Sequence, residues 1–252
     1  MKYFNINLYL KIFYIIIVMK ILSWDVGIYN LSYCILESIE NNINILDWDI
    51  INLIDNEEMK KNRTLIFENI PRKLYEKSNL LDVDIVVIEN QPSLKNPQMK
   101  SIQMILYSYF LILGKIIGNS EKNSSYIEKI DFCSASNKLK IYDGPKIILP
   151  KKNTKRKKNV DETIDNTINE TIDETINNTV NETVNNIENI ENKKNKKITI
   201  KYADKKKLAI EHAKYFLKEF PKYIDFFENH KKKDDLADSF LQGLYYIKNI
   251  KK

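Results

Sequence analysis

Four acidic side chains stand at places in the sequence where a charge needs a partner. Asp25 lies within the apolar run SWDVG, and Glu89 follows the apolar run IVVI. An ionised carboxylate in such surroundings is costly unless it is paired or binds a metal ion. Near the end of the sequence, Asp235 and Asp238 are three residues apart, which places both on one face of a helix. Hard oxygen ligands of this kind suit Mg²⁺ or Mn²⁺.

The acidic stretch KKKDDLAD nevertheless allows more than one interpretation. Asp234 lies four residues before Asp238, so helical periodicity does not choose between Asp234 and Asp235. Acidic residues also cap helix N-termini, Asp25 could be a turn partner at a strand end, and Glu89 could be a surface carboxylate. A shared pocket is favoured because one sheet and one helix can carry all these acids. Carboxylates packed together repel, and two divalent cations about 4 Å apart would remove that repulsion and support phosphodiester hydrolysis.

The elements that must position these residues can be traced from Met19 onward. Alternating and apolar runs bounded by turn signals predict strands, and apolar residues at helical spacing predict helices. Three strands are predicted first, over 20–27, 31–39 and 43–53, and a helix over 57–81 follows, kinked or divided at Pro71. Next come a strand over 84–89, a helix over 99–117 and a strand over 126–135. After an insertion, a helix over 202–220 and a last helix that follows the basic run complete the order. This order predicts an α/β fold, a mixed five-stranded sheet flanked by helices.

Two segments stand apart from this pattern. Residues 1–18 are an apolar extension shorter than the roughly 20 residues a membrane span needs, and Lys11 interrupts them. We interpret them as lying upstream of a true start at Met19, or as dispensable, with a membrane anchor as the alternative. Residues 151–197 carry a four-residue Thr repeat and predict a low-complexity, disordered insertion. Residues 19–150 and 198–252 are then left as one folded domain.

The composition indicates which binding partners and which cellular compartment suit this protein. The 252 residues carry a net charge of +6, with lysines in runs such as Lys151–Lys158 and Lys231–Lys233, which fits a polyanionic partner. The two cysteines form no disulfide framework, which favours a reducing, intracellular compartment. Only five glycines are present, and none forms the phosphate-binding loops that an actin-like or sugar-kinase-like ATPase needs.

Four motifs resemble, in order, those of poxvirus-type Holliday junction resolvases, which belong to the RuvC-like group of the RNase H-like superfamily. The motifs are ILSWDVGIYNLSYCILE, IVVIENQPSLKNPQMKSIQMILYSYF, FCSASNKLKIYDG and KKKDDLADSFLQGLYYI. The resemblance covers about residues 19–142 and 197–250. The last motif is the most specific, because an acid pair follows a basic run and opens the terminal helix.

The resemblance implies roles for particular residues. It implies a catalytic lysine in SNKLK, for which we favour Lys138 over Lys140, since an ammonium can orient the scissile phosphate. It implies a tight turn at Gly27, a match of Asn30 to the family pattern, and a role of Gln91 in DNA contact or loop ordering. The metal ligands it implies, for two Mg²⁺ ions that Mn²⁺ can replace, are Asp25, Glu89, Asp235 and Asp238.

The predicted function is that of an RNase H-like crossover junction endodeoxyribonuclease. It would resolve four-way DNA junctions by paired symmetric hydrolysis during viral DNA replication, recombination and repair. We expect branched double-stranded DNA as the partner and a homodimer, since two symmetric strands are cut. We expect neither a membrane nor a small-molecule substrate, and an intracellular location at a viral replication site in the host cytoplasm. The alternatives are a related nuclease acting on RNA–DNA hybrid or RNA, and a non-catalytic binder of branched DNA.

Overall fold

The computed structural model describes residues 18–40, 42–94, 96–118, 126–147, 149 and 202–250. Of these, the residues up to Ile147 and from Lys206 onward belong to one compact unit. A second unit, 148–205, is represented by Leu149 and by the first residues of a helix. The predictions for residues 1–17 and for the insertion at 151–197 lie outside the described residues, so the predicted domain boundaries stay predictions.

A mixed five-stranded sheet forms the centre of the first unit, as predicted. Its order is β3-β2-β1-β4-β5; β2 pairs antiparallel with both β1 and β3, and β4 runs parallel to both β1 and β5. The carboxyl ends of β1, β4 and β5 therefore meet at one edge of the sheet, where sites of α/β proteins commonly form. The strands are β1 (Val18–Val26), β2 (Asn30–Ile39), β3 (Asn42–Asn52), β4 (Ile85–Asn90) and β5 (Lys129–Ser134).

Helices cover both faces of this sheet. They are α1 (Glu57–Lys61), α2 (Arg63–Tyr75), α3 (Pro97–Tyr109), which continues as a π-helix over Phe110–Ile117, α4 (Tyr202–Leu217), α5 (Pro221–Asn229) and α6 (Lys233–Ile250), with 3₁₀ turns at Ser78–Leu81 and Ala135–Ile141. Alternation along β1 divides the core: Leu22 and Trp24 pack with α2 and α3, whereas Ile21 packs with α6. The helix α5 was not predicted.

The break in the first predicted helix lies at Asn62 and not at Pro71. Asn62 is in an extended conformation, with φ −112° and ψ 100°, and its side-chain oxygen accepts a hydrogen bond from the N–H of Thr64 at 3.1 Å. It therefore ends α1 and caps α2. The helix α2 continues past Pro71 to Tyr75. The capping side chain at Asn62, and not the proline ring, determines where this segment divides.

Among the described helices, Pro97–Ile117 is long and apolar enough to cross a membrane by length and composition. Its inner face lies in the protein core, where Ile102, Leu106 and Phe110 are fully buried. Core packing therefore accounts for the apolar residues on that face. The outer face exposes Met104 and Ile112, which line an apolar groove together with Pro71 and Tyr75 of α2.

Candidate active site

Two acids are placed side by side by the register of the parallel strands β1 and β4. The pairing aligns Trp24 with Ile88, so the next residue in each strand is an acid, Asp25 in β1 and Glu89 in β4. Because side chains alternate along a strand, both acids project to the sheet face opposite Trp24 and Ile88. This is the face that α6 covers.

A third acid comes from α6, which approaches the sheet closely at Gly243. A Cβ at Gly243 would lie 2.8 Å from Leu36 Cδ1 and 3.2 Å from Ser23 Cβ, so a larger residue would push the helix outward. Asp238 lies on the same helix, five residues earlier. The close approach brings its carboxylate to the edge where Asp25 and Glu89 stand.

The ammonium of Lys138 joins the three acids. Lys138 lies in the 3₁₀ turn after β5 and is only 3% exposed. Its Nζ lies 2.5 Å from Asp25 Oδ1, 3.1 Å from Glu89 Oε1 and 3.1 Å from Asp238 Oδ2. Lys140, in contrast, is exposed, and its Nζ donates to Asn137 Oδ1 at 2.7 Å. Of the two lysines in SNKLK, Lys138 is the one that contacts these acids.

The structure also distinguishes the two adjacent aspartates at the start of α6. Asp234 pairs with Lys206, Oδ2 to Nζ at 2.5 Å. Burial is the largest single effect and opposes the ionised form of Asp234, but the hydrogen bond and charge of Lys206, a backbone hydrogen bond and the charge of Lys232 together lower its pKa. Burial raises the pKa of Asp235, and the charges of Asp234 and Asp25 raise it further. Of the two adjacent aspartates, Asp235 is therefore the one whose pKa responds to the charge of Asp25, and it is half-buried.

The charged groups in this pocket shift one another's pKa values. Burial raises the pKa of Glu89 to about 8, against the lowering effect of Lys138. Burial likewise raises the pKa of Asp238 to about 6. The same burial disfavours the charged form of Lys138, but the carboxylates of Asp25, Asp238 and Glu89 raise its pKa well above the ordinary value. The ammonium of Lys138 is thus charged, whereas burial disfavours the ionised forms of Glu89 and Asp238.

The donor set suits a hard divalent cation. The converging groups are the carboxylate oxygens of Asp25, Glu89 and Asp238, which Mg²⁺ and Mn²⁺ prefer as ligands. Over the part of the chain that the structure describes, no three His, Cys, Asp or Glu side chains are arranged so that they could hold a metal ion. The positive charge among Asp25, Glu89 and Asp238 is the ammonium of Lys138. The chemistry of the donors fits the predicted ions.

Two glutamines extend the site beyond the predicted acids. Gln91 is buried, and its Nε2 donates to Glu89 Oε2 at 2.8 Å, which orients that carboxylate. The backbone N–H of Gln91 donates to Gln103 Oε1 at 2.9 Å, and Lys100 Nζ donates to the same oxygen at 3.1 Å. Of the two roles suggested for Gln91, the structure shows loop ordering. Gln103 was missed, although an amide inside the apolar run SIQMIL is a signal for it.

The turn after Asp25 depends on a glycine. A Cβ at Gly27 would lie 2.6 Å from the carbonyl oxygen of Asn30, so the chain can turn from β1 into β2 this tightly only without a side chain. Asn30 opens β2, opposite Asn52 of β3. The predicted tight turn at Gly27 is therefore present, two residues after Asp25 of β1.

The chain is similar in structure to Holliday junction resolvases, the family that its motifs resemble. A structure of the fowlpox virus resolvase with Holliday junction DNA matches at 18% identity and a TM-score of 0.46, covering 93% of this chain and all of that one. The yeast mitochondrial resolvase Ydc2 matches at 15% identity and 0.47, covering 91% and 79%. RuvC of Thermus thermophilus matches at 11% identity and 0.33, covering 49% and 68%.

In sequence, the chain is similar to a protein of Acanthamoeba polyphaga mimivirus named uncharacterized protein L451. The two are 32% identical over 178 residues, which is 71% of this chain and 32% of that protein. The chain thus spans about a third of the length of this relative. No family model matches the sequence.

Proposed function

We propose that this protein is a Mg²⁺-dependent endonuclease that resolves four-way DNA junctions by paired, symmetric phosphodiester hydrolysis. The observation that supports it is the convergence of Asp25, Glu89 and Asp238 on one buried ammonium, at the edge where the parallel strands end. Acids in such a pocket are costly unless they bind cations. A protein that only binds DNA would gain nothing from these acids, because carboxylates repel the phosphates of DNA.

Each group of the site has a chemical role under this proposal. Asp25, Glu89, Asp235 and Asp238 would hold the metal. When bound, Mg²⁺ supplies Lewis acidity and a more acidic water, which are the needs of phosphodiester hydrolysis. Lys138 orients the scissile phosphate and stabilises the negative charge that develops on it. Gln91 keeps the Glu89 carboxylate in a fixed orientation.

The charge distribution supports DNA as the substrate. The chain has a net charge of +6, and the exposed Lys231 and Lys232 directly precede α6, next to the acidic pocket. Lysines beside an acidic pocket attract the phosphate backbone while the metal ligands address the scissile bond. Because the relative in sequence comes from a mimivirus, we propose that the DNA is viral and that the protein acts in its replication, recombination and repair in the host cytoplasm.

An apolar groove between α2 and α3 supports a homodimer. The groove has a volume of about 690 Å³, and Tyr75 and Ile112 along it are 78% and 49% exposed. Exposed apolar surface of this kind marks protein contacts. A two-fold pair would present two sites to the two strands of a junction. Ile112→Asp should convert the dimer to a monomer in light scattering; an unchanged mass, or a monomeric wild type, would contradict this part of the proposal.

The decisive experiment is cleavage of a synthetic four-way junction with each strand labelled in turn. We expect symmetric paired cuts in Mg²⁺ and none in EDTA. Asp25→Asn and Asp238→Asn should bind the junction and leave it uncut. Preferential cutting of an RNA–DNA hybrid would favour the related nuclease, and junction binding without metal-dependent cutting by the wild type would favour the non-catalytic binder.

A further inference from the structure

One buried amide contacts both acid-bearing strands from the acid-bearing helix. Gln242 of α6 is fully buried. Its Nε2 lies 3.1 Å from Ser23 Oγ, 3.0 Å from the carbonyl oxygen of Trp24 and 3.4 Å from the carbonyl oxygen of Val87. An amide nitrogen has two hydrogens, so these three acceptors share them.

The positions of these acceptors relate Gln242 to the acids. Trp24 directly precedes Asp25 in β1, and Val87 is two residues before Glu89 in β4. Gln242 itself lies four residues after Asp238, which is one helical turn deeper on the same face of α6. One side chain therefore connects the backbone of β1, the backbone of β4 and the helix that carries the third acid.

This contact lies where the strands stop supporting each other. The pairing of β1 with β4 ends at Trp24 and Ile88, immediately before the two acids. Beyond that point the ladder between the strands no longer fixes their separation. Gln242 donates to carbonyls of both strands at this place, and the missing side chain at Gly243 lets α6 come close enough for it to do so.

The amide is not needed for packing. Gln242 Oε1 is buried without a hydrogen-bond partner among the described residues. A buried unsatisfied carbonyl costs about 1–3 kcal/mol, which is similar to the cost of removing the donor from its buried acceptors, so an apolar side chain of the same length should leave the stability of the fold roughly the same. What an apolar side chain would not supply is the donor that connects the two strands.

We propose that Gln242 is a positioning residue that fixes the mutual distances of Asp25, Glu89 and Asp238, and so tunes both metal affinity and turnover. The inference rests on the proposed function for the turnover part and on the site geometry for the metal part. It concerns an indirect role, because Gln242 contacts the backbone of the acid-bearing strands.

The test compares Gln242→Met with wild type. Methionine has the same length and no donor, and it adapts to irregular cores. Supporting groups of metal sites typically contribute 10- to 100-fold, so we expect Mn²⁺ affinity by titration calorimetry to fall about 10- to 100-fold and kcat for junction cleavage to fall similarly. KM for the junction should stay within about two-fold. The free energy of unfolding should change by no more than about 2 kcal/mol, because the buried acceptors lose a donor while the unsatisfied Oε1 is removed. Ile247→Val, buried further along α6, is the control and should leave both Mn²⁺ affinity and kcat unchanged.

The possible outcomes separate the two proposals. Wild-type affinity and kcat in Gln242→Met would overturn the inference, and so would losses equal to those of Ile247→Val. If the wild type binds Mn²⁺ but cuts no junction, the proposed reaction is refuted, while weaker Mn²⁺ binding by Gln242→Met would still support the positioning role. If the wild type binds no Mn²⁺, both proposals are overturned.

Discussion

Replacing Lys138 with methionine should destabilise the protein in the absence of divalent cations. The side chain is 4% exposed, and its ammonium contacts three carboxylates at 2.5 to 3.1 Å. Removing one partner of a buried ion pair costs about 3–5 kcal/mol, because the remaining charge is left uncompensated. For a domain of this size, about 1 kcal/mol shifts the melting temperature by roughly 2–4 °C. We therefore expect a fall of roughly 6–20 °C in EDTA.

The measurement is thermal unfolding followed by circular dichroism, in EDTA and in Mg²⁺. Lys140→Met is the matched control, because Lys140 is exposed and bonds only a neighbouring asparagine among the contacts described; its melting temperature should change by no more than about 2 °C. Mg²⁺ should restore part of the loss in Lys138→Met, since a divalent cation compensates the same carboxylates. A Lys138→Met protein as stable as wild type in EDTA would refute the argument, and so would an equal loss in Lys140→Met.

Two further substitutions test the geometry of the site. Asp234→Asn removes a partly exposed ion pair with Lys206, so it should retain cleavage and lose at most about 1 kcal/mol, whereas Asp235→Asn should reduce metal-dependent cleavage by at least about ten-fold. Equal cleavage by the two variants would contradict this assignment. Gly27→Ala places a Cβ 2.6 Å from the carbonyl oxygen of Asn30 and should cost about 1–3 kcal/mol in urea unfolding, with slower cleavage because Asp25 is displaced. Wild-type stability and rate would show that the turn can relax.

The sheet and the acids on it could be predicted because their signals are local. The run IVVIEN has the continuous apolar character of a strand buried on both faces, and it forms β4 with five of six residues buried. Asp25 and Glu89 are visible as charges in or beside apolar runs. Once β1 and β4 are known to be parallel neighbours, acids at the carboxyl ends of both strands are expected at one edge of the sheet, and the observed register, Trp24 opposite Ile88, makes the two acids adjacent.

What the sequence left open depends on tertiary contacts. Asp234 and Asp235 have equally good helical spacing to Asp238, and only the position of Lys206 on α4 separates them. Lys138 reaches the pocket from a 3₁₀ turn, whose length and direction no local sequence pattern predicts. The break at Asn62 depended on a capping hydrogen bond that competes with the more obvious signal of a proline. In each case, a contact or a turn that the local sequence pattern does not contain determines the position or the role of the residue.

The charge balance of the pocket argues against a purely structural ion pair. A lysine buried for stability needs one carboxylate, whereas this ammonium contacts three, and Asp235 adds a fourth acid nearby. Ionised, the three contacting acids would exceed the ammonium by two negative charges in a place where burial already raises the pKa of Glu89 to about 8. Replacing such a cluster with apolar residues would stabilise a protein that had no use for it. Divalent cations would compensate this excess of negative charge, and this is a physical reason, separate from the resemblance, to propose a metal here.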